Sequence, residues 1–211
     1  KLMEAFMYRF HPRVEEVKEV LESGVIGDLK QIRSTFTFKL DRPKDIRWDG
    51  NLGGGALMDV GCYCVNVSRM FFGQEPVEVR AMANWGDSGV DEQLAGSMLF
   101  DDGLLAHFDC SLTQDLTQVY HLHGTEGHLR VPDAFVPQAD EMVIEHFNAG
   151  HELTTLQATS GDQYQAMVEH FASSVLNDEE VRFPPGDAAL NMKVIKALYE
   201  SARSDGAEVK V

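Results

Sequence analysis

The chain has 211 residues, enough for one large domain or two small ones, and its 44% hydrophobic content can supply a sizeable core. Eighteen Lys and Arg against 34 Asp and Glu give a formal charge of −16, which argues against partners that present a phosphate backbone or an anionic membrane. No apolar run approaches the ~18 residues of a membrane span, no signal peptide is evident, and Cys62, Cys64 and Cys110 cannot all pair, so a soluble, cytoplasmic protein with reduced thiols is expected.

In chain order, residues 1–10 (KLMEAFMYRF) crowd apolar side chains and read as a strand. They lack an initiator methionine, and the chain is expected to begin partway through a longer protein. His11-Pro12 opens a helix, because proline suits a first turn. Val14, Val17, Val20 and Leu21 then recur at helical spacing, and Ser23-Gly24 ends it. KQIRSTFTFKL (30–40) reads as a strand and DRPKDIRWDGN (41–51) as a loop rich in Pro, Asp and Gly. A helix follows from about Gly54 to Phe72. Alternation then predicts strands at 77–85, 92–100 and 104–112, with Asp101-Asp102-Gly103 as a hairpin turn. Two further strands flank Gly-Thr-Glu-Gly at 124–127, and two more, 141–147 and 151–157, flank Asn148-Ala149-Gly150. Helical periodicity returns at 163–176 and 188–204, with Asp162 and Asp187 as expected caps, and AEVKV closes as a short strand. The fold class is α+β: an open, mostly antiparallel sheet with helices on one face.

The 54–72 helix is apolar enough for a core yet carries Asp59, Tyr63 and Asn66 along one line, next to a face of Leu57, Val60, Cys64, Val67 and Phe71. Asp59 and Tyr63, four apart, can touch. The glycines at its start admit a close approach by a backbone or a ligand, and a helix N-terminus attracts anions. Spacing alone leaves two readings open: a first-turn acid with a core tyrosine, or a polar site. The segment is not a dinucleotide fingerprint, since no strand leads into it and the glycine register is wrong. His121, His123, His128, His146 and His151 show no recurring ligand spacing, so no metal is expected.

LGGGALMDVGCYCVN (52–66) resembles the signature helix of the Gfo/Idh/MocA oxidoreductases, nearest to their dihydrodiol and xylose dehydrogenase-like branch. EAFMYRFHP (4–12), VIGDLKQIRSTF (25–36), GTEGHLRV (124–131), QYQAMVEHF (163–171) and ALYESARSDG (197–206) follow in family order. The resemblance implies that residues 11–211 are the C-terminal substrate-binding and oligomerisation domain. It further implies that residues 1–10 are the last strand of a dinucleotide-binding Rossmann domain absent from this chain. It assigns Tyr63 and Asp59 as catalytic, with Tyr63 moving the proton of a carbinol and Asp59 orienting it or the substrate. Arg9, His11, Asn66, Arg47 and Trp48 are implied on the substrate side, and Gly54 and Gly55 on the cofactor side. His11 has a simple helix-start reading and Arg47 and Trp48 a loop-surface reading, and both stay open. A lysine in a Glu-Lys-Pro motif, which the family uses to activate the tyrosine, has no match here. The expected function is hydride transfer between NAD or NADP and a secondary alcohol of a sugar, polyol or trans-diol in a full-length enzyme. The implied assembly is a homodimer or homotetramer through the sheet face. This chain alone is expected to be inactive and to bind no cofactor. The rival reading is a non-catalytic dimerisation or sugar-sensing module of the same superfamily.

Overall fold

The computed structural model describes residues 1–137 and 142–211; Glu141, the first residue of one expected strand, lies outside them. Helix α1 (Pro12–Glu22) starts at His11, whose Nδ1 accepts a hydrogen bond from the Arg13 backbone N–H at 3.1 Å, and buries Val14 and Val17. This supports the helix-start reading of His11. Strand β1 (Leu29–Lys39) follows, with Ile32, Ser34 and Phe36 turned inward and Arg33 outward. After the 41–55 loop come one π-helical turn (Leu57–Gly61) and α2 (Cys62–Phe72). Strands β2 (Glu78–Trp85), β3 (Asp91–Leu99), β4 (Leu105–Ser111), β5 (Thr113–Gly124), β6 (Gly127–Pro132), β7 (Met142–Asn148) and β8 (Leu153–Ala158) complete most of the sheet. Helices α3 (Gln163–Leu176) and α4 (Pro185–Arg203) and the short β9 (Val209–Lys210) close the chain.

Among the described residues, nine strands form one sheet in the order β8-β7-β6-β5-β1-β4-β3-β2-β9. Only β1 and β4 run parallel; every other pair is antiparallel. The helices cover one face, and the period-2 pattern places Ile32, Phe36, Leu94, Met98, Phe108, Leu122 and Leu129 on that side. Cys64 and Val67 from α2 and Val194 and Leu198 from α4 meet them. Removing each such side chain from water contributes about 1.5–3 kcal/mol. On the opposite face, His121, His123 and His128 stack in a column that ends on the Phe147 ring, with neighbouring centroids 5.8, 4.9 and 4.5 Å apart.

Three expectations fail for identifiable reasons. Residues 1–10 form no strand. Met7–Phe10 make a single 3₁₀ turn, and Phe6, Met7, Tyr8, Arg9 and Phe10 are all buried. The aromatic run packs on every side instead of alternating: Phe6 and Tyr8 meet Tyr63, and Phe10 meets His170 and Phe183. The central helix, expected from about Gly54 as a regular α-helix, begins at Leu57 with a π-helical first turn. There Gly61 lets the turn lie directly on β4, because a Cβ would meet Cys110 Sγ at 2.7 Å. Asp187 is not a cap: α4 starts after Pro184, and Asp187 sits in its first turn. Asp162 does cap α3, accepting from the N–H groups of Tyr164 and Gln165.

Asp187 instead holds two arginines. Arg9 donates to Oδ2, and Arg69 Nη2 donates to Oδ1 at 3.1 Å. The Arg69 guanidinium also reaches both Glu75 oxygens, at 2.6 and 2.7 Å, and Asn191 Oδ1 at 3.2 Å. The network ties the N-terminal segment, α2 and α4 together. Burial would raise the Asp187 carboxyl, but the hydrogen bonds and charges of Arg9 and Arg69 outweigh it and hold it below its ordinary 3.8. A depressed folded-state pKa stabilises the fold above pH 3.8, and that contribution is lost as pH falls through the folded value. Thermal unfolding is therefore expected to show a loss of stability below about pH 4 that Asp187→Asn reduces. An acid limb identical in both proteins would refute it.

Candidate active site

The loop before the π turn positions its arginine through a local turn. Asp45 Oδ1 accepts from the Arg47 backbone N–H and from Nη1, both at 3.1 Å. Arg47 Nε then donates to Asp59 Oδ2 at 2.6 Å. Arg47 is thus paired with Asp59 and does not stand free on the loop surface, and its hydrogen bond to Asp59 raises its own pKa. Trp48 Nε1 donates to the Arg42 carbonyl at 3.0 Å, away from this pair.

Tyr63 does not hydrogen-bond Asp59. Its ring stands in a cage of Phe6, Tyr8, Phe36 and Phe135, with centroids 4.9–5.8 Å away. Among the described residues its hydroxyl donates only to Met7 Sδ, at 3.5 Å, a weak acceptor. Burial pushes the phenol well above its ordinary 10, and Cys62, Tyr164, Asp59 and Glu4 add to the rise. The group is therefore a protonated phenol at neutral pH, and a cation lying against it would ease the loss of its proton in either role. Asn66 is buried and accepts the Tyr8 hydroxyl at 2.7 Å, so it anchors the N-terminal segment and does not line an open pocket. Arg9 is likewise buried, paired with Asp187 and lying 3.4 Å over the Phe183 ring.

The glycines answer to the chain's own packing. A Cβ on Gly54 would collide with the Arg47 carbonyl, and one on Gly55 with Asp91 Oδ1 and Tyr199 Oη. Asp91, fully buried, accepts from the Leu57 N–H at 2.7 Å and from Tyr199 Oη at 2.7 Å. A protein carboxylate thus occupies the N-terminus of the turn that was expected to receive a ligand anion. The close approach at Gly54 and Gly55, the positions implied on the cofactor side, is made here by the chain's own Arg47 carbonyl and Asp91 carboxylate.

With these positions placed, residues 14–130 match the GFO/IDH/MocA C-terminal domain. The chain is also 36% identical over 209 residues to D-xylose 1-dehydrogenase (NADP(+)) 2 of Haloferax volcanii, covering 98% of this chain and 63% of that protein. The chain belongs to the Gfo/Idh/MocA family. Mouse trans-1,2-dihydrobenzene-1,2-diol dehydrogenase is 36% identical over 145 residues, 68% of this chain and 42% of that protein. The crystal structure of aldose-aldose oxidoreductase from Caulobacter crescentus, complexed with glycerol, superposes with a TM-score of 0.90 at 25% identity, over all of this chain and 64% of that one. The chain spans less than two thirds of the length of these Gfo/Idh/MocA relatives.

Within this Gfo/Idh/MocA domain, the π turn and α2 bring Asp59 and Tyr63 to the helix-bearing side of the sheet, and the 41–51 loop brings Arg47. Sequence reading missed Asp91, Tyr199, Met7 and Glu4. Asp91 lies 34 residues from Leu57 and 108 from Tyr199, so no local spacing could pair them. Glu4 and Met7 were absorbed into a supposed strand.

Proposed function

We propose that this chain is the substrate-side C-terminal domain of an NAD(P)-dependent oxidoreductase. The enzyme moves a hydride between the nicotinamide and a secondary-alcohol carbon of a sugar, polyol or trans-diol, and it pairs with a second copy through the open sheet face. The observation that carries this reading is the Tyr63 hydroxyl, caged by four aromatic rings with no strong partner among the described residues, on the same helical segment as an Asp59 held by Arg47. The names of the xylose and dihydrodiol dehydrogenases and the glycerol complex of the aldose oxidoreductase support the substrate class.

The nicotinamide would accept or supply the hydride. Because Gly54 and Gly55 are filled by the chain's own atoms, the cofactor is assigned to a separate dinucleotide-binding portion of the intact protein. In the reducing direction Tyr63 gives its proton to the forming alkoxide, which is a far stronger base than the phenolate left behind. In the oxidising direction it must lose that proton first, which requires a cation beside it. Asp59, fixed by Arg47, keeps a carboxylate near the tyrosine to receive a substrate hydroxyl. The test is oxidation of D-xylose and of a trans-diol by the intact protein with NADP. Turnover of either supports the reading, and turnover of neither, with NAD or NADP, overturns it.

A further inference from the structure

The sheet face that carries no helix gathers four histidines through its cross-strand register. His121 and His123 stand on β5, His128 on β6 lies opposite His123, and Arg33 of β1 sits between His121 and His107 of β4. The rings of His121, His123 and His128 stack with centroids 4.9–6.3 Å apart, and His128 closes on Phe147. In the strand order β5 and β1 are fourth and fifth of nine, so the column lies at the centre of the face. The Nε2 atom of His123 is buried without a hydrogen-bond partner. Two carboxylates act on the group, Glu145 on His121 and Asp109 on His107. Both are already bonded, Glu145 to Arg130 at 2.7 Å and Asp109 to Thr35 Oγ1 at 2.8 Å. Arg33, Arg130, His146 and His151 bring only positive charge. Burial first, and then these cations, hold all four imidazoles below their ordinary 6.5, His123 at about 4. The column is therefore neutral at pH 7, and acid turns it into a block of adjacent cations.

Resting on the sheet-face pairing proposed above, we propose that the histidine column is the centre of the contact with a second copy and gates it: neutral columns meet across the two-fold axis, and protonated columns drive the copies apart. The face has the size for this occupant. The strands β1–β8, six to twelve residues long, span roughly 35 Å by at least 20 Å, about 700 Å² or more against the ~800 Å² each partner of a stable complex covers. Its charge also fits. Two chains of net charge −16 repel one another, yet Asp109 and Glu145 are the only acids at the open-face positions of β1, β4, β6 and β7. A two-fold contact sets the same patch against itself, so each column meets a column. Pairing then removes the imidazoles from water and places like groups opposite one another, which lowers their pKa values further. A group whose pKa is lower in the pair than in the free chain supports pairing above the free-chain value, and that support is lost as pH falls through it. Since the free-chain values lie below 6.5, the loss runs from about pH 6 downward.

The test is sedimentation velocity of the intact protein over a micromolar concentration series at about pH 7.5 and 5.0, above the acid range in which Asp187 titrates. Circular dichroism at both values checks the fold. Wild type is expected to pair at the higher pH and to show a dissociation constant raised ~10-fold or more at the lower one. Replacing His121, His123 and His128 together by Gln keeps the column neutral, so this variant should pair alike at both values. His123→Lys fixes a cation in the column and should weaken pairing already at the higher pH. A wild-type dissociation constant that does not change with pH would overturn the gate. So would a Gln variant that is folded yet as pH-sensitive as wild type or unpaired at the higher pH, or a His123→Lys protein that pairs like wild type. A wild type that stays monomeric at the higher pH would instead remove the sheet-face pairing, and the gate with it, leaving the face to another part of the intact protein or to a different partner.

Discussion

Replacing Tyr63 by Phe in the intact enzyme is expected to lower kcat by ~10²-fold or more, the usual scale for a general acid–base group. The structure separates this effect from damage to the fold. The hydroxyl makes one weak hydrogen bond, to Met7 Sδ, so its removal should change stability little. The ring, which does the packing against Phe6, Tyr8, Phe36 and Phe135, is kept. KM should move far less than kcat, because the hydroxyl matters most when the carbinol proton is in transit. Steady-state kinetics with matched melting curves would show this. Unchanged kcat would remove Tyr63 from the reaction.

Gly55→Ala is expected to destabilise the fold by about 3 kcal/mol or more. Two separate faults add at this position. Gly55 has φ +115°, a conformation that side chains rarely adopt. The new Cβ would also point into Asp91 Oδ1 and lie 2.9 Å from Tyr199 Oη. Asp91 cannot retreat, because it is fully buried and bonded to both Leu57 N–H and Tyr199 Oη. Either the backbone shifts or this buried pairing breaks, leaving a carboxylate without its donors. Gly24→Ala is the internal control. Its φ is +74°, but nothing lies within 4 Å of its added Cβ, so it carries the strain alone. Denaturant unfolding should therefore separate the two variants clearly. Equal, small losses would show that Gly55 is not kept for its closeness to Asp91.

What could be read from the sequence was whatever local periodicity determines. The strands from β2 to β8 alternate because one sheet face is covered by helices, and turn residues such as Asp102, at φ 58°, punctuate them. The line through Asp59, Tyr63 and Asn66 was also visible, but its meaning was not uniform. A π turn at Leu57–Gly61 changes the helical phase between Asp59 and Tyr63, and Asn66 proved to be an anchor for Tyr8. The N-terminal segment misled because an aromatic plug and a buried strand have the same composition. Asp91, Asp187 and Arg69 make bonds across separations of 34 to 178 residues. Those pairings exist only once the sheet and helices have brought the residues together.

The most direct measurement is label transfer. D-xylose carrying deuterium on its reacting carbinol carbon, incubated with the intact protein and NADP, is expected to yield deuterated NADPH by mass spectrometry, with the Tyr63→Phe protein forming it at least ~10²-fold more slowly. A carbinol-deuterated trans-diol run in parallel covers the second substrate class. If both substrates leave the nicotinamide unlabelled while the protein is folded and saturated with cofactor, no hydride passes through this pocket and the assignment of Tyr63 and Asp59 to hydride-transfer chemistry is wrong.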